Sequence, residues 1–180
     1  MGRSITRTSK RSLDKTAYHE AGHAVVGWAV GRRLKKVTII PTRETVGCTY
    51  HYRLLHFRPD ADNYIPNGTA YARTFTKSVH EASIFLGGME AERKFCGRYN
   101  YQQASSDVGR AWDLCNYFSG DEYGPEFKAM YQWLRLKTRN IVENHWVCVE
   151  ALAKQLVESM TMKGADAEEL IRVASYNRAF

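Results

Sequence analysis

The sequence predicts a mostly α-helical domain carrying one small β-hairpin or sheet. Three observations lead there. Apolar residues recur at spacings of three and four through most of the chain, β-branched residues concentrate in one short stretch near its start, and clusters of Gly, Pro, Asn and Asp separate the periodic runs. The 180 residues amount to one domain's worth of chain, with 44% apolar and 25% charged residues. That composition excludes wholesale disorder, collagen-like repeats and low-complexity scaffolds.

From Ser12 to Val30 the residues Leu13, Ala17, Ala21, Ala24, Val25, Trp28 and Ala29 lie on one face of a helix, and Gly31 is placed to cap it. Lys36 to Pro41 is rich in β-branched residues and Thr42 to Thr45 is a polar turn. Val46 to Leu54, with Thr49, Tyr50 and Tyr52, completes a hairpin. Pro59, Pro66 and several Asp and Asn residues make His56 to Asn67 a loop. Thr69 to Phe95 is helical through Phe75, Val79, Ala82, Phe85 and Leu86, and Gly87-Gly88 marks either a close packing point or a break. After a polar loop over Gly97 to Gln103, a helix starts near Ala104 and ends before Ser119-Gly120. One long helix is expected over Phe127 to Met160. A short one over Asp166 to Val173 follows Gly164 as a breaker.

The longest nearly continuous apolar stretch, Ala24 to Val30, is far shorter than the roughly 20 residues that span a bilayer, so no transmembrane segment is expected. No secretory signal pattern opens the chain, and the expected location is the cytoplasm. The four cysteines are scattered without a C-x-x-C and are expected as buried free thiols. Cys48 and His51 form a C-x-x-H pair, but no second pair stands at the spacing a closed zinc site requires. Of the formal charge of +7, Arg3, Arg7, Lys10 and Arg11 account for four in an acid-free opening. Residues 1–11 are therefore expected as a flexible basic arm and 12–180 as a single domain. No stacking-aromatic or recognition-helix pattern accompanies the arm, so nucleic acid is not the expected partner.

The first helix contains His19-Glu20-Ala21-Gly22-His23, an H-E-x-x-H match. Residues four apart on a helix lie one turn apart on one face, so both imidazoles can converge on one metal ion. A catalytic zinc takes neutral imidazoles at about 2.0–2.1 Å, adds a third protein ligand and keeps one position for water. Zinc brings that water's pKa near neutrality, and Glu20 is placed to act as general base and to pass the proton to the leaving amine. With six His and twelve Glu, a shuffled chain would show the pattern about once in a hundred sequences. Here it also falls inside a helical signal, as the chemistry requires. Spacing alone leaves Glu81, Glu90, Glu92 and Asp107 open as the third ligand.

The run Ala17-Tyr18-His19-Glu20-Ala21-Gly22-His23-Ala24-Val25-Val26, followed by Lys36-Val37-Thr38-Ile39-Ile40-Pro41, resembles the start of the peptidase domain of the FtsH-type ATP-dependent zinc metalloproteases. Leu86-Gly87-Gly88-Met89-Glu90-Ala91-Glu92 is similar to that family's L-G-G-x-x-A-E helix. Ala104-Ser105-Ser106-Asp107-Val108 is similar to its G-A-S-N-D-L segment, and Ile141 to Trp146 and Leu152 to Leu156 to its C-terminal helices. The resemblance implies the family's helical zincin fold, Zn²⁺ held by His19, His23 and Asp107, and Glu20 as the catalytic base. It also implies a polypeptide substrate pairing with a strand of the Lys36 to Leu54 region, and by analogy a hexameric assembly. Ser106 stands where the family has Asn, and Met89-Glu90 where it has Arg-Ala; these departures fall around the ligands, not on them. Glu92 is expected as a solvated helical residue rather than a carboxylate orienting a ligand.

No G-x-x-x-x-G-K-[ST] phosphate loop is present. The expected protein is thus a freestanding zinc metalloendopeptidase that works without ATP on unfolded or flexible polypeptides, or that borrows an unfoldase from a separate chain. The alternative is a non-catalytic peptide- or partner-binding protein that has retained the peptidase fold.

Overall fold

In a computed structural model, residues 7–53, 69–102, 104–120 and 123–177 are described. The order is α1 (Arg7–Ala29), β1 (Leu34–Thr38), β2 (Cys48–His51), α2 (Thr69–Cys96), α3 (Ser105–Ser119), α4 (Pro125–Asn144), α5 (Trp146–Ser159), β3 (Thr161–Lys163) and α6 (Gly164–Tyr176). The mostly helical class with a small sheet is borne out. The expected loop over His56 to Asn67 lies outside the described residues. Helix α1 takes in residues 7–11 of the basic opening.

Helix α1 is central because small residues line it. Ala17, Ala21, Ala24 and Val25 are fully buried, and Gly22 meets Gly87 of α2 backbone to backbone; a Cβ on Gly87 would stand 2.8 Å from the Gly22 carbonyl oxygen. The Gly87-Gly88 pair is therefore a packing point, and α2 runs through it unbroken. Gly31 takes a left-handed φ of 80° and Arg32 N–H reaches back 2.8 Å to the Gly27 carbonyl, closing α1 with a Schellman turn.

The sheet is antiparallel with order β2-β1-β3. Val37 of β1 pairs with Thr49 of β2; Leu34, Val37 and Thr38 are buried, and an irregularity between Leu34 and Lys36 shifts the alternation between Leu34 and Val37. Strand β3 was not expected, since three residues carry no readable alternation and their partner lies far back in the chain. Gly164 is the first residue of α6 rather than a breaker; any side chain there would collide with the Leu34 carbonyl.

Two apolar cores result among the described residues. Val25, Val37, Val149, Leu152, Leu156 and Ile171 belong to one, formed by α1, β1, α5 and α6. Leu86, Met89, Leu114, Phe127 and Leu134 belong to the other, formed by α2, α3 and α4. The single helix expected over Phe127 to Met160 is two helices, broken at His145 (φ −115°, ψ 26°). The apolar stripe continues through this point, so periodicity did not mark the break, yet α4 serves mainly one core and α5 the other. Cys115 and Cys148 are buried thiols as expected, whereas Cys48 and Cys96 are only partly buried. Among the described residues no helix is long and apolar enough to cross a membrane.

Candidate metal centre

His19, Glu20 and His23 lie on the buried flank of α1, with relative exposures of 4%, 5% and 7%. Buried polar groups must find partners, and each ring nitrogen has one. His23 Nδ1 donates to the Ile84 carbonyl at 2.7 Å, and His19 Nδ1 donates to Glu92 Oε2 at 3.3 Å. Because those acceptors cannot donate, the proton of each neutral ring sits on Nδ1 and leaves Nε2 with a free lone pair. Both Nε2 atoms face Asp107 in the first turn of α3, at 3.3 Å from His19 and 3.4 Å from His23 to Oδ2.

These separations fit a zinc site. Two ligand atoms about 2.0–2.1 Å from a tetrahedral zinc stand about 3.3–3.4 Å apart. Among the described residues, His19, His23 and Asp107 form the group of His, Cys, Asp or Glu whose ligand atoms all lie within 4.8 Å of one another. The space in front of the rings exists because α2 has no side chain at Gly88, where a Cβ would stand 2.6 Å from His19 Nε2.

The electrostatics fit a group of side chains gathered around positive charge. Burial disfavours the His19 cation, but the bonds to Asp107 and Glu92 and the nearby Glu20 charge prevail and raise its pKa to about 9. Burial likewise works against the Asp107 carboxylate, and the bonds to His19 and His23 hold its pKa well below the usual carboxylate range.

The other acidic candidates are engaged elsewhere. Glu81 pairs with Arg32 at 3.2 Å. Glu90 is fully buried and accepts from Arg93 at 3.0 Å, Tyr99 at 3.1 Å and Arg139 at 3.3 Å. Glu92 corrects the expectation of a solvated residue: it is 2% exposed and holds His19 with one oxygen while Asn100 donates to the other at 3.3 Å. Its neighbours Gly88, Met89 and Ala91 were the available signal, because a carboxylate among residues that small and apolar lies on a packed helix.

The three donors and Glu20 line a cleft of about 560 Å³, closed on one side by Val46 to Thr49 and on another by Ile84 and Phe85 of α2. Thr49 is legible in the sequence only as a strand residue. Its hydroxyl lies 2.8 Å from Glu20 Oε2, a contact between residues 29 positions apart that no local pattern announces.

Peptidase family M41 matches residues 5–118. The chain is 35% identical over 106 residues to the ATP-dependent zinc metalloprotease FtsH of Mycoplasmopsis pulmonis, covering 57% of this chain and 13% of that protein. To the protein of the same name from Magnetococcus marinus it is 32% identical over 124 residues, covering 65% of this chain and 16% of the relative. To that of Aster yellows witches'-broom phytoplasma it is 26% identical over 197 aligned residues, covering 92% and 27%. This chain thus spans between 13% and 27% of the length of these three relatives. The family match takes in more than half of the chain, including both imidazoles, the intervening glutamate and the downstream aspartate, and the chain belongs to peptidase family M41.

Proposed function

We propose that this chain is a zinc-dependent metalloendopeptidase acting on unfolded or flexible polypeptide. The observation that carries this is the convergence of His19 Nε2, His23 Nε2 and Asp107 Oδ2 within 4.8 Å of one another, with the buried Glu20 carboxylate on the same cleft. When bound, zinc would acidify a water and polarise the scissile carbonyl. His19, His23 and Asp107 would hold it, with Glu92 and the Ile84 carbonyl keeping the rings in the liganding tautomer. Glu20 accepts the water's proton on its carboxylate and delivers it to the leaving nitrogen. β2 lies at the edge of the sheet beside the cleft, which supports strand pairing with an extended substrate.

Residues 12–180 act in this proposal as one peptidase unit. They cleave already unfolded chains without ATP, or work together with an unfoldase. A hexameric ring rests on the resemblance alone, and sedimentation of the purified protein tests it. The deciding experiment pairs zinc analysis with digestion of unfolded casein by the wild type and by Glu20→Gln. One zinc per chain in both proteins, with cleavage lost only in Glu20→Gln, is expected. Equal digestion by the two would overturn the mechanism, and zinc with tight peptide binding but no product from the wild type would favour a non-catalytic binding role.

A further inference from the structure

We propose that Thr49 is a positioning residue for the Glu20 carboxylate, so that the strand bordering the cleft also aims the general base. This deepens the peptidase function proposed above and rests on it. Thr49 Oγ1 lies 2.8 Å from Glu20 Oε2 and 3.0 Å from the Glu20 backbone carbonyl. The single O–H has both oxygens within reach and is shared between the carboxylate, at the shorter distance, and the backbone carbonyl of the same residue, which limits the torsional freedom that a glutamate otherwise keeps. Among the described residues it is the side-chain donor that reaches this carboxylate.

Gly47 shapes the other side. A Cβ there would stand 2.8 Å from Glu20 Oε1, 2.9 Å from Glu20 Cγ and 2.9 Å from Thr16 Cγ2, so the carboxylate lies against bare backbone. Every larger residue would push it out of place. Both contacts come from one short stretch anchored by pairing, since Thr49 stands opposite the fully buried Val37 of β1. The base is therefore set by β2 and by the loop residue that leads directly into it.

A threonine that only capped a helix carbonyl would be structural. The second contact, to the carboxylate oxygen, is what assigns it a part in the reaction. General-base catalysis contributes about 10²–10⁴-fold, and a misplacement of about 1 Å costs on the order of 10²-fold. Losing the tether should therefore remove part of the base's contribution, not all of it.

Thr49→Val keeps the β-branched shape and removes the hydroxyl; Thr49→Ser restores it. With a fluorogenic peptide and zinc-loaded enzyme, Thr49→Val should retain its zinc and lower kcat about 10- to 100-fold, with KM within about twofold. Thr49→Ser should recover most of that loss. A readout independent of turnover is the affinity for a peptide hydroxamate, whose acidic hydroxyl meets the same carboxylate. That affinity should fall in Thr49→Val, and the same change should have no further effect when made in Glu20→Gln. Should Thr49→Val fail to fold, Gly47→Ala offers the second route: it displaces the carboxylate with the hydroxyl intact and should lower kcat. Wild-type kcat in Thr49→Val, a Ser variant as slow as the Val variant, or wild-type kcat in Gly47→Ala would overturn the proposal. Wild-type cleavage by Glu20→Gln is a separate result, which overturns the base assignment itself.

Discussion

The His19 ring is held between two carboxylates: Glu92 Oε2 stands 3.3 Å from Nδ1, and Asp107 Oδ2 stands 3.3 Å from Nε2. The first contact selects the tautomer and the second faces the proposed metal position. Removing Glu92 would free the proton to occupy either nitrogen and leave the ring free to turn. Glu92→Ala is expected to weaken zinc binding about 10- to 100-fold, measured by competition with a chromogenic chelator. Wild-type zinc affinity in that variant would show that the contact has no part in metal binding.

Gly88 serves both the metal position and the packing of the two rings. Alanine gains about 1 kcal/mol over glycine in a helix interior, but its Cβ would stand 2.6 Å from His19 Nε2. Gly88→Ala should therefore lose zinc by about 100-fold or more, and the metal-free protein should lose about 1–3 kcal/mol in urea unfolding because the held rings must shift. A variant that keeps tight zinc binding would mean the rings have room the structure denies them.

Zinc loading should release a proton. In the metal-free protein, the bonds from Asp107 and Glu92 outweigh burial and raise the His19 pKa to about 9, so the ring is charged at neutral pH and must lose its proton to become a ligand. Affinity should rise with pH and level off above about 9. Titration calorimetry at pH 7.5 in two buffers of different ionisation enthalpy reads the proton count directly; identical heats in both buffers would contradict it.

His51 makes the fold acid-sensitive. Burial, followed by the positive fields of His23 and Arg32, lowers its pKa from 6.5 to about 4, and its buried Nε2 has no hydrogen-bond partner among the described residues. A group with a depressed folded pKa contributes stability above its unfolded pKa and loses it as pH falls through the folded value. The contribution is therefore complete above about pH 6.5 and is lost toward pH 4, by at most about 1.4 kcal/mol per pH unit. Urea unfolding of metal-free protein between pH 7 and 4.5 should show a steeper loss in wild type than in His51→Gln. Parallel curves would remove His51 as the cause.

Helix periodicity is a local property, and it was readable wherever a helix buries a regular face. Residues 12–29 of α1, the span of α2 and the start of α3 next to Asp107 follow from spacings of three and four residues, whereas the choice between packing point and break at Gly87-Gly88 does not. The break at His145 and strand β3 do not, because the first lies inside a continuing apolar stripe and the second is three residues long.

The chain by itself determined that His19 and His23 share one helical face with Glu20 between them, since four residues make about one turn of any α-helix. Spacing left the third ligand open and the family resemblance implied Asp107; only the tertiary structure decided which carboxylate steadies Nδ1 and which hydroxyl meets Glu20. Asp107, Glu92 and Thr49 stand 88, 73 and 29 positions from their partners. Their arrival depends on α1 lying against the bare backbone of α2 and on the sheet crossing one end of the cleft. Those are contacts of packing, and packing is not written at any fixed spacing along a chain.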